Sequence, residues 1–516
     1  MKYSENLEIV SHLESCQSFS EILDYTSKTN PDKIFLVEGD STWTYLEFNK
    51  TVNRCCRYFN ELKLKPGDKI SVVLRNSVEY LILYFSAIRN RLVINPFPFH
   101  VGAKEVLLKA EWIAPEMVFC HKTHYKELAN SSYVIKNLDD LGEGDFVEFL
   151  KQFPDGSIVP IPIDEDQTAV LYYSSGTTGD PKVIEYTHQS MVAGQLSMVR
   201  SEFVKPNSVH LCVLPLGHTA SLRYTIKQCI CTGSTVVLYE SFWKLRNNLW
   251  NEVRKHKANF MEIVPSILIA ILNTPYKDFT VEQVESLDFI GCGSSFLPQN
   301  LQSEFEKKFK IPVANLYGLS ETGATHFDNP LKFNRAPGSI GKPFDIIEVK
   351  IFDENKNEVP CGEVGEICMK GPSLLKGYYK NIQLYRESLY EGYFMTGDLG
   401  RVDTDGIYYY IERKKDLIIK GGVNIAPSQI DEVLLSNPNV EEVATIGVPD
   451  MLLGEVIKSF VVLKNGREGN KTELLSYCKK ALGNFKTPSQ IEFVTKLPKG
   501  PSGKILKKDL REKEIS

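Results

Sequence analysis

The chain lacks the features that mark several broad protein classes. Its 60 Lys and Arg against 65 Asp and Glu leave a net charge of −5 and no basic excess, which excludes the cationic face or stripe of a nucleic-acid binder. No apolar run approaches the ~20 residues a membrane span needs. The longest, Tyr80–Ile88 and Ile263–Leu272, are about half that and read as buried core elements. The opening residues, MKYSENLEIV, carry no apolar stretch of the signal-peptide kind. The eleven cysteines form no CxxC pair, and Cys55–Cys56 and Cys229–Cys231 are too close to make a metal set. His121 and His124 have no further ligands nearby in sequence. These absences predict reduced thiols in a cytoplasmic protein that is not integral to a membrane and binds no nucleic acid. Internal repeats and low-complexity tracts are also missing.

What is present is length. A chain of 516 residues, 42% apolar and 24% charged, buries a large core without disulfides or structural metal, and at about 150 residues per unit it makes two to four folded units. KISVVLRN (Lys69–Asn76) reads as a strand after the Pro66–Gly67 turn, and Ser77–Asn90 as a helix capped by its serine. Thr168–Ser175, Val209–Pro215 and Ser234–Glu240 are continuous apolar strands of the kind found in parallel sheets covered on both faces. Strands alternating with helices argue for α/β architecture. After about Pro337 the strands shorten and Gly and Asp turns separate them, which predicts a small antiparallel unit over Ile346–Tyr410. The charged segment ERKKD follows, and then helices near Ser428–Leu435 and Lys471–Ala481. The lysines Lys496, Lys499, Lys507 and Lys508 read as a solvated face.

The most specific motif is SSGTTGDPK, Ser174 to Lys182, directly after an apolar strand. Its glycines allow a tight turn, its hydroxyls offer donors, and Lys182 adds a cation, a set that suits a polyphosphate. The spacing is not that of the Walker loop, and taken alone the segment could equally be a surface loop. YGLSETG (Tyr317–Gly323), TGD (Thr396–Asp398), ERKKDLIIKGG (Glu412–Gly422) and LPKGPSGKI (Leu497–Ile505) follow it. In order and spacing these five motifs resemble the adenylate-forming superfamily of acyl-CoA synthetases, luciferases and peptide-synthetase adenylation domains.

The resemblance implies a large N-terminal domain of stacked α/β sheets with a small β-barrel-like unit (1–412), a hinge (413–416) and a small mobile C-terminal α+β domain (417–516). It implies ATP, Mg²⁺ and coenzyme A, or a carrier-protein phosphopantetheine, as cofactors. A small carboxylic acid is the implied substrate. An acyl carrier protein or an amine is the alternative acceptor. Ser174, Ser175, Gly176, Thr177, Thr178, Gly179 and Lys182 match the phosphate cradle. Gly293, Ser294, Ser295, Asn315, Tyr317, Gly318 and Ser320 match the nucleotide wall. Asp398 and Arg413 match the ribose side, and Thr178 with Glu321 the Mg²⁺ site. His218, Thr219, Val264, Cys292, Gly323 and Gly422 match the acyl and pantetheine pocket, where Cys292 could equally be a buried strand thiol. Thr219 stands where amino-acid-activating relatives carry Asp, which argues against an α-amino acid substrate. Lys504 matches the lysine that bridges the attacking carboxylate and the α-phosphate. Lys415 matches the hinge. Val183 departs from the family's usual glycine.

Overall fold

The computed structural model describes residues 9–140, 146–164, 166–173, 182–330, 336, 338–464, 466–500 and 504–515. Two large sheets dominate. One has seven strands, in the order Gly377–Tyr378, Val183–Thr187, Thr168–Tyr173, Val93–Phe97, Lys69–Val73, Met117–Cys120 and Ile135–Asn137. The other has nine, and its six central strands run from Val313–Leu319 through Phe289–Gly293, Phe260–Ile263, Val209–Cys212 and Thr235–Leu238 to Ile34–Glu38, all parallel.

The apolar strands Val209–Cys212 and Thr235–Leu238 thus sit in a parallel sheet, as their composition predicts. Thr168–Tyr173 differs. It pairs parallel with Val93–Phe97 on one side and antiparallel with Val183–Thr187 on the other. Both flanks of the SSGTTGDPK motif are therefore held in one hairpin ladder, with Tyr173 opposite Val183. Val183 is buried against Leu171 and Ile113, so the residue after Lys182 opens a strand, where a β-branched side chain fits better than glycine.

Helices lie between the sheets. Val78–Arg89 is capped by Ser77, whose hydroxyl accepts from the Tyr80 N–H, and every residue of it but Glu79 is buried. It packs with Tyr45–Glu61 and Phe19–Thr29 into one apolar cluster that takes side chains from both sheets, including Phe35, Leu36, Ile70 and Val72. Arg89, the one cation buried in that helix, is matched by Asp24 at 2.7 Å and by Ser20, Asn49 and Asn53.

The expected small β unit is a five-stranded antiparallel sheet of Glu348–Phe352, Gly365–Lys370, Leu389–Tyr390, Tyr393–Val402 and Tyr408–Arg413. A 3₁₀ turn, Lys414–Asp416, follows directly. Beyond it a second five-stranded sheet, built on the long hairpin Val440–Asp450 and Gly454–Leu463, carries helices Pro427–Leu435 and Lys471–Lys486 around its own core. This C-terminal unit meets the rest through polar contacts. Ser428 bonds to Glu412 and to the Ile411 carbonyl at 2.9 and 3.0 Å, and Asn300 reaches the Glu432 carbonyl at 3.4 Å. A cavity of about 320 Å³ remains between the two, lined by Glu366, Leu399, Ile411, Asn424 and Lys486. Polar, incompletely packed interfaces are those expected to open.

The reading of the C-terminal lysines as a solvated face needs correction at Lys507. It is half-buried and pairs with Asp431 at 3.1 Å, with the effect of burial on its pKa opposed by Asp431, Glu412 and Asp416. The apolar partners of Leu510 draw its helix onto the sheet and carry Lys507 inward.

Candidate active site

The site begins where the antiparallel sheet meets the nine-stranded one. Asp398 and Arg413 are register partners on neighbouring strands. Their side chains meet at 2.8 Å, and Asp398 Oδ2 accepts from the Tyr317 hydroxyl at 2.9 Å. Asp398 is 2% exposed. Burial pushes its carboxyl up, against Arg413, Tyr317 and the charge of Lys504. The TGD turn is held by its own threonine, which donates to the Ile367 carbonyl at 2.6 Å and accepts from the Asp398 N–H at 3.0 Å.

Glu321 stands in the turn between Val313–Leu319 and Gly323–Phe327. The turn is tight. The Leu319 N–H donates to Thr322 Oγ1 at 3.0 Å, and a Cβ on Gly318 would lie 1.8 Å from the Gly323 carbonyl oxygen, so only glycine fits there. Burial raises the Glu321 carboxyl above the usual carboxylate range, offset by Arg413, by the Tyr378 hydroxyl at 3.3 Å and by Lys182. Lys182 itself lies 5.8 Å from the Tyr378 ring centre, so the end of the Ser/Thr/Gly motif arrives beside Glu321. Ser174, Ser175, Gly176, Thr177, Thr178 and Gly179 lie outside the described residues.

Two further cations come from the C-terminal side. Lys415 is in the 3₁₀ turn. Lys504 closes a short hairpin in which Lys499 bridges Ile505 and the Gly500 N–H donates to the Lys504 carbonyl at 2.8 Å. Burial lowers the pKa of Lys504 first and Arg413 next, against Asp398 and Asp416, with Lys415 lowering it further. Lys415 is lowered by burial, then Arg413, with Arg511 and Lys182 adding to the effect. Arg511 holds Asp416 at 2.9 Å and so anchors the turn. Lys182, Arg413 with Lys415, and Lys504, from three segments far apart in sequence, thus share one field. A bound polyphosphate would relieve their mutual repulsion.

Among the described residues no three of His, Cys, Asp or Glu are grouped to enclose a metal. A single half-buried carboxylate at Glu321 fits Mg²⁺ held mainly by phosphate oxygens and water, and does not fit an all-protein cage.

The remaining sequence candidates fall into two sets. Gly293 ends a strand whose next neighbour is Leu316, where a Cβ would strike the Leu316 carbonyl at 2.6 Å, and Ser294 follows at φ +65° with Ser295 half-buried. Asn315 spends its amide on the Ser339 carbonyl at 2.9 Å, and the Ser320 carbonyl accepts from the Tyr186 hydroxyl at 2.6 Å. His218 and Thr219 are half-buried on the neighbouring segment. Burial, and then Arg223 and His100, push His218 down to about 4, so it is neutral at pH 7. The Ala220 N–H points at its Nδ1 at 3.4 Å, which places the proton on Nε2. Val264 and Cys292 sit in the apolar cluster with Ile263 and Leu211, and burial drives the Cys292 thiol far up. Gly422 is not brought to this cluster. It is exposed at φ +78° in the turn between Ile418–Lys420 and Val423–Ile425, where an added Cβ would meet nothing within 4 Å.

Sequence reasoning missed two residues of this region, Arg223 and Glu262. Neither belongs to a motif.

Fold and site together define an ATP- or AMP-handling enzyme with a separate C-terminal unit. The description "AMP-binding enzyme" matches residues 23–379, and "AMP-binding enzyme C-terminal domain" matches 429–504. The chain belongs to the AMP-binding enzyme family. It is 32% identical over 483 residues to a sulfoacetate–CoA ligase from Cupriavidus necator, covering 92% of this chain and 94% of the relative. It is 26% identical to a crotonobetaine/carnitine–CoA ligase from Shigella dysenteriae, with 91% and 93% covered. Among solved structures it resembles ATP-bound MatB from Rhodopseudomonas palustris at a TM-score of 0.88 and 25% identity, covering 96% of this chain and 98% of that one. Against the apo form of that protein the TM-score is 0.77.

Proposed function

We propose that this chain joins a short carboxylic acid to coenzyme A in two steps at one site, using ATP and releasing AMP and pyrophosphate. The chain is an AMP-forming acid–thiol ligase. The observation that carries the mechanism is the convergence of Lys182, Arg413, Lys415 and Lys504 on Asp398 and Glu321.

In the first step the acid's carboxylate oxygen bonds to the α-phosphorus of ATP and the bond to pyrophosphate breaks. Two anions must meet, and Lys504, placed in a largely dry site, neutralises the repulsion between them. Asp398, an acceptor on both oxygens, takes the ribose hydroxyls, while Tyr317 packs beside the base. Lys182 and the Ser/Thr/Gly motif hold the departing phosphates. Glu321 and Thr178 would hold Mg²⁺, which would supply further charge neutralisation. Neutral His218 offers its Nε2–H to the substrate carboxylate without competing as a second full charge.

In the second step the thiolate of coenzyme A bonds to the acyl carbon and the bond to AMP breaks. Lys504 must then be gone, and we take the C-terminal unit (417–516) to turn about Lys415 within the hinge 413–416, away from the N-terminal domain (1–412). The same motion carries the open Gly422 turn inward, where a glycine leaves room for the pantetheine arm. The higher likeness to the ATP-bound than to the apo form of one relative supports reading the present arrangement as that of the first step.

Both named relatives use coenzyme A, which favours it over a carrier protein. The acids in the names of those relatives are short, which supports a short acid here. The test is a panel of short acids with ATP, Mg²⁺ and coenzyme A, separated by chromatography. Acid-dependent AMP and acyl-CoA are expected in equal amounts. Acid-dependent ADP, or AMP formed equally without acid, would overturn the reading.

A further inference from the structure

Arg223 is a permanent charge that the mechanism above does not use. It stands on a π-helical turn, Ser221–Lys227, three residues past the buried Ala220 end of the His218 segment; π-turns in place of α-helix recur at functional sites. Its guanidinium carbon lies 5.4 Å from the centre of the Tyr186 ring. A Cβ on Gly323, whose φ is +77°, would come within 2.9 Å of Arg223 Nη1. The glycine at the end of YGLSETG therefore lets the guanidinium lie against the hairpin that carries Glu321, two residues away and so at most about 7 Å along the chain.

Among the described residues no carboxylate comes within ion-pair distance of Arg223. The acid whose charge bears on it is Glu262, on Phe260–Ile263, which is 3% exposed. Burial pushes that carboxyl up to about 8 despite Arg223, its Oε2 has no hydrogen-bond partner, and no ion pair joins it to the guanidinium. What Arg223 has instead is the rings and hydroxyls of Tyr186, Tyr224 and Tyr172. It is set deep in the protein, yet it keeps part of its surface accessible, unlike Arg89 and Arg91, which are 4% and 2% exposed. The charges around Lys504 are a different set, Arg413, Asp398, Asp416 and Lys415. Around Arg223 there are thus a histidine neutral at pH 7, tyrosine hydroxyls and a buried glutamic acid, and no ion-pair partner among the described residues.

Resting on the reading of the chain as an acid–thiol ligase, we infer that Arg223 receives the far end of the substrate, and that this end is a second anion. The substrate class is short dianionic acids, either dicarboxylates or sulfocarboxylates, whose first carboxylate is activated while the second is held by the guanidinium fork. Two parallel N–H···O bonds to a planar or tetrahedral oxyanion suit arginine better than lysine. An acid with a cationic far end would be repelled.

The experiment measures kcat/KM for pyrophosphate release with length-matched acids: propionate and butyrate, malonate and succinate, sulfoacetate, and a trimethylammonio acid. The full chain is used with ATP and coenzyme A. At least one dianion is expected to exceed its length-matched monoanion by about 100-fold, and Arg223→Met to lower that ratio by about 100-fold. Arg223→Lys, which keeps the charge but not the fork, is expected to fall between. Monoanions or the cationic acid preferred by the native chain would overturn the inference, as would a ratio unmoved in a folded Arg223→Met. If that variant does not fold, the native series and Arg223→Lys decide. A panel in which no acid of any charge yields AMP would instead refute the ligase reading, whereas AMP from monoanions alone would refute only the role of Arg223.

Discussion

Replacing Lys504 by alanine is expected to lower acyl-adenylate formation by about 1000-fold while leaving the transfer from supplied acyl-adenylate to coenzyme A within a few-fold of the native rate. The asymmetry follows from geometry. Lys504 shares a field with Asp398 and Arg413 in the present arrangement, where the nucleotide and acid meet. It sits at the end of a hairpin on a unit joined to the rest by a single chain crossing and a polar interface. Once the adenylate exists there is no anion–anion repulsion left to screen. Two separate assays check it: pyrophosphate release with acid and ATP, and thioester formation from synthetic acyl-adenylate. Equal losses in both would mean that Lys504 supports the fold or both chemistries rather than the first step.

The second large effect is expected at Lys415. Proline there fixes φ and removes an N–H in the turn between the two units. Adenylation, for which the units are already placed, should survive, while thioester formation should fall by about 100-fold or more because the acceptor cannot be brought into line. Lys415 also carries a cation close to Arg413 and Lys182, so Lys415→Ala is the companion variant. It reports the loss of the ammonium alone, and whatever Lys415→Pro loses beyond it belongs to the backbone. Normal overall turnover in the proline variant would remove the hinge from the account.

Much of this was legible in the chain because the motif residues are close in sequence to what they act with. Asp398 and Arg413 lie at the two ends of one β-hairpin, and the Glu321 turn is fixed by its own threonine and glycines. The Ser77 cap and the apolar strands follow from local composition. What was hidden depends on contacts between distant segments. The antiparallel pairing that encloses the Ser/Thr/Gly motif depends on which strand lies next to Thr168–Tyr173, and that strand could have been parallel on composition alone. Lys507 looks like one more surface lysine until Asp431, 76 residues earlier, is placed beside it. Arg223 is opaque for the same reason. Its meaning comes from Gly323, Tyr186 and Glu262, from three other strands and turns. Gly422 marks the opposite limit. Its motif is plain, but the structure leaves it in an exposed turn away from the cations, and the role proposed for it rests on the proposed turn of the C-terminal unit.

The central claim is that this chain activates the acid before any thiol is engaged, with a lysine from the C-terminal unit between two anions. The most direct measurement is isotope exchange between pyrophosphate and ATP with the purified chain, Mg²⁺ and a short acid, in the complete absence of coenzyme A. Exchange that requires the acid, needs no thiol and disappears in Lys504→Ala is predicted. Exchange that begins only when coenzyme A is added, or proceeds undiminished without Lys504, would contradict it.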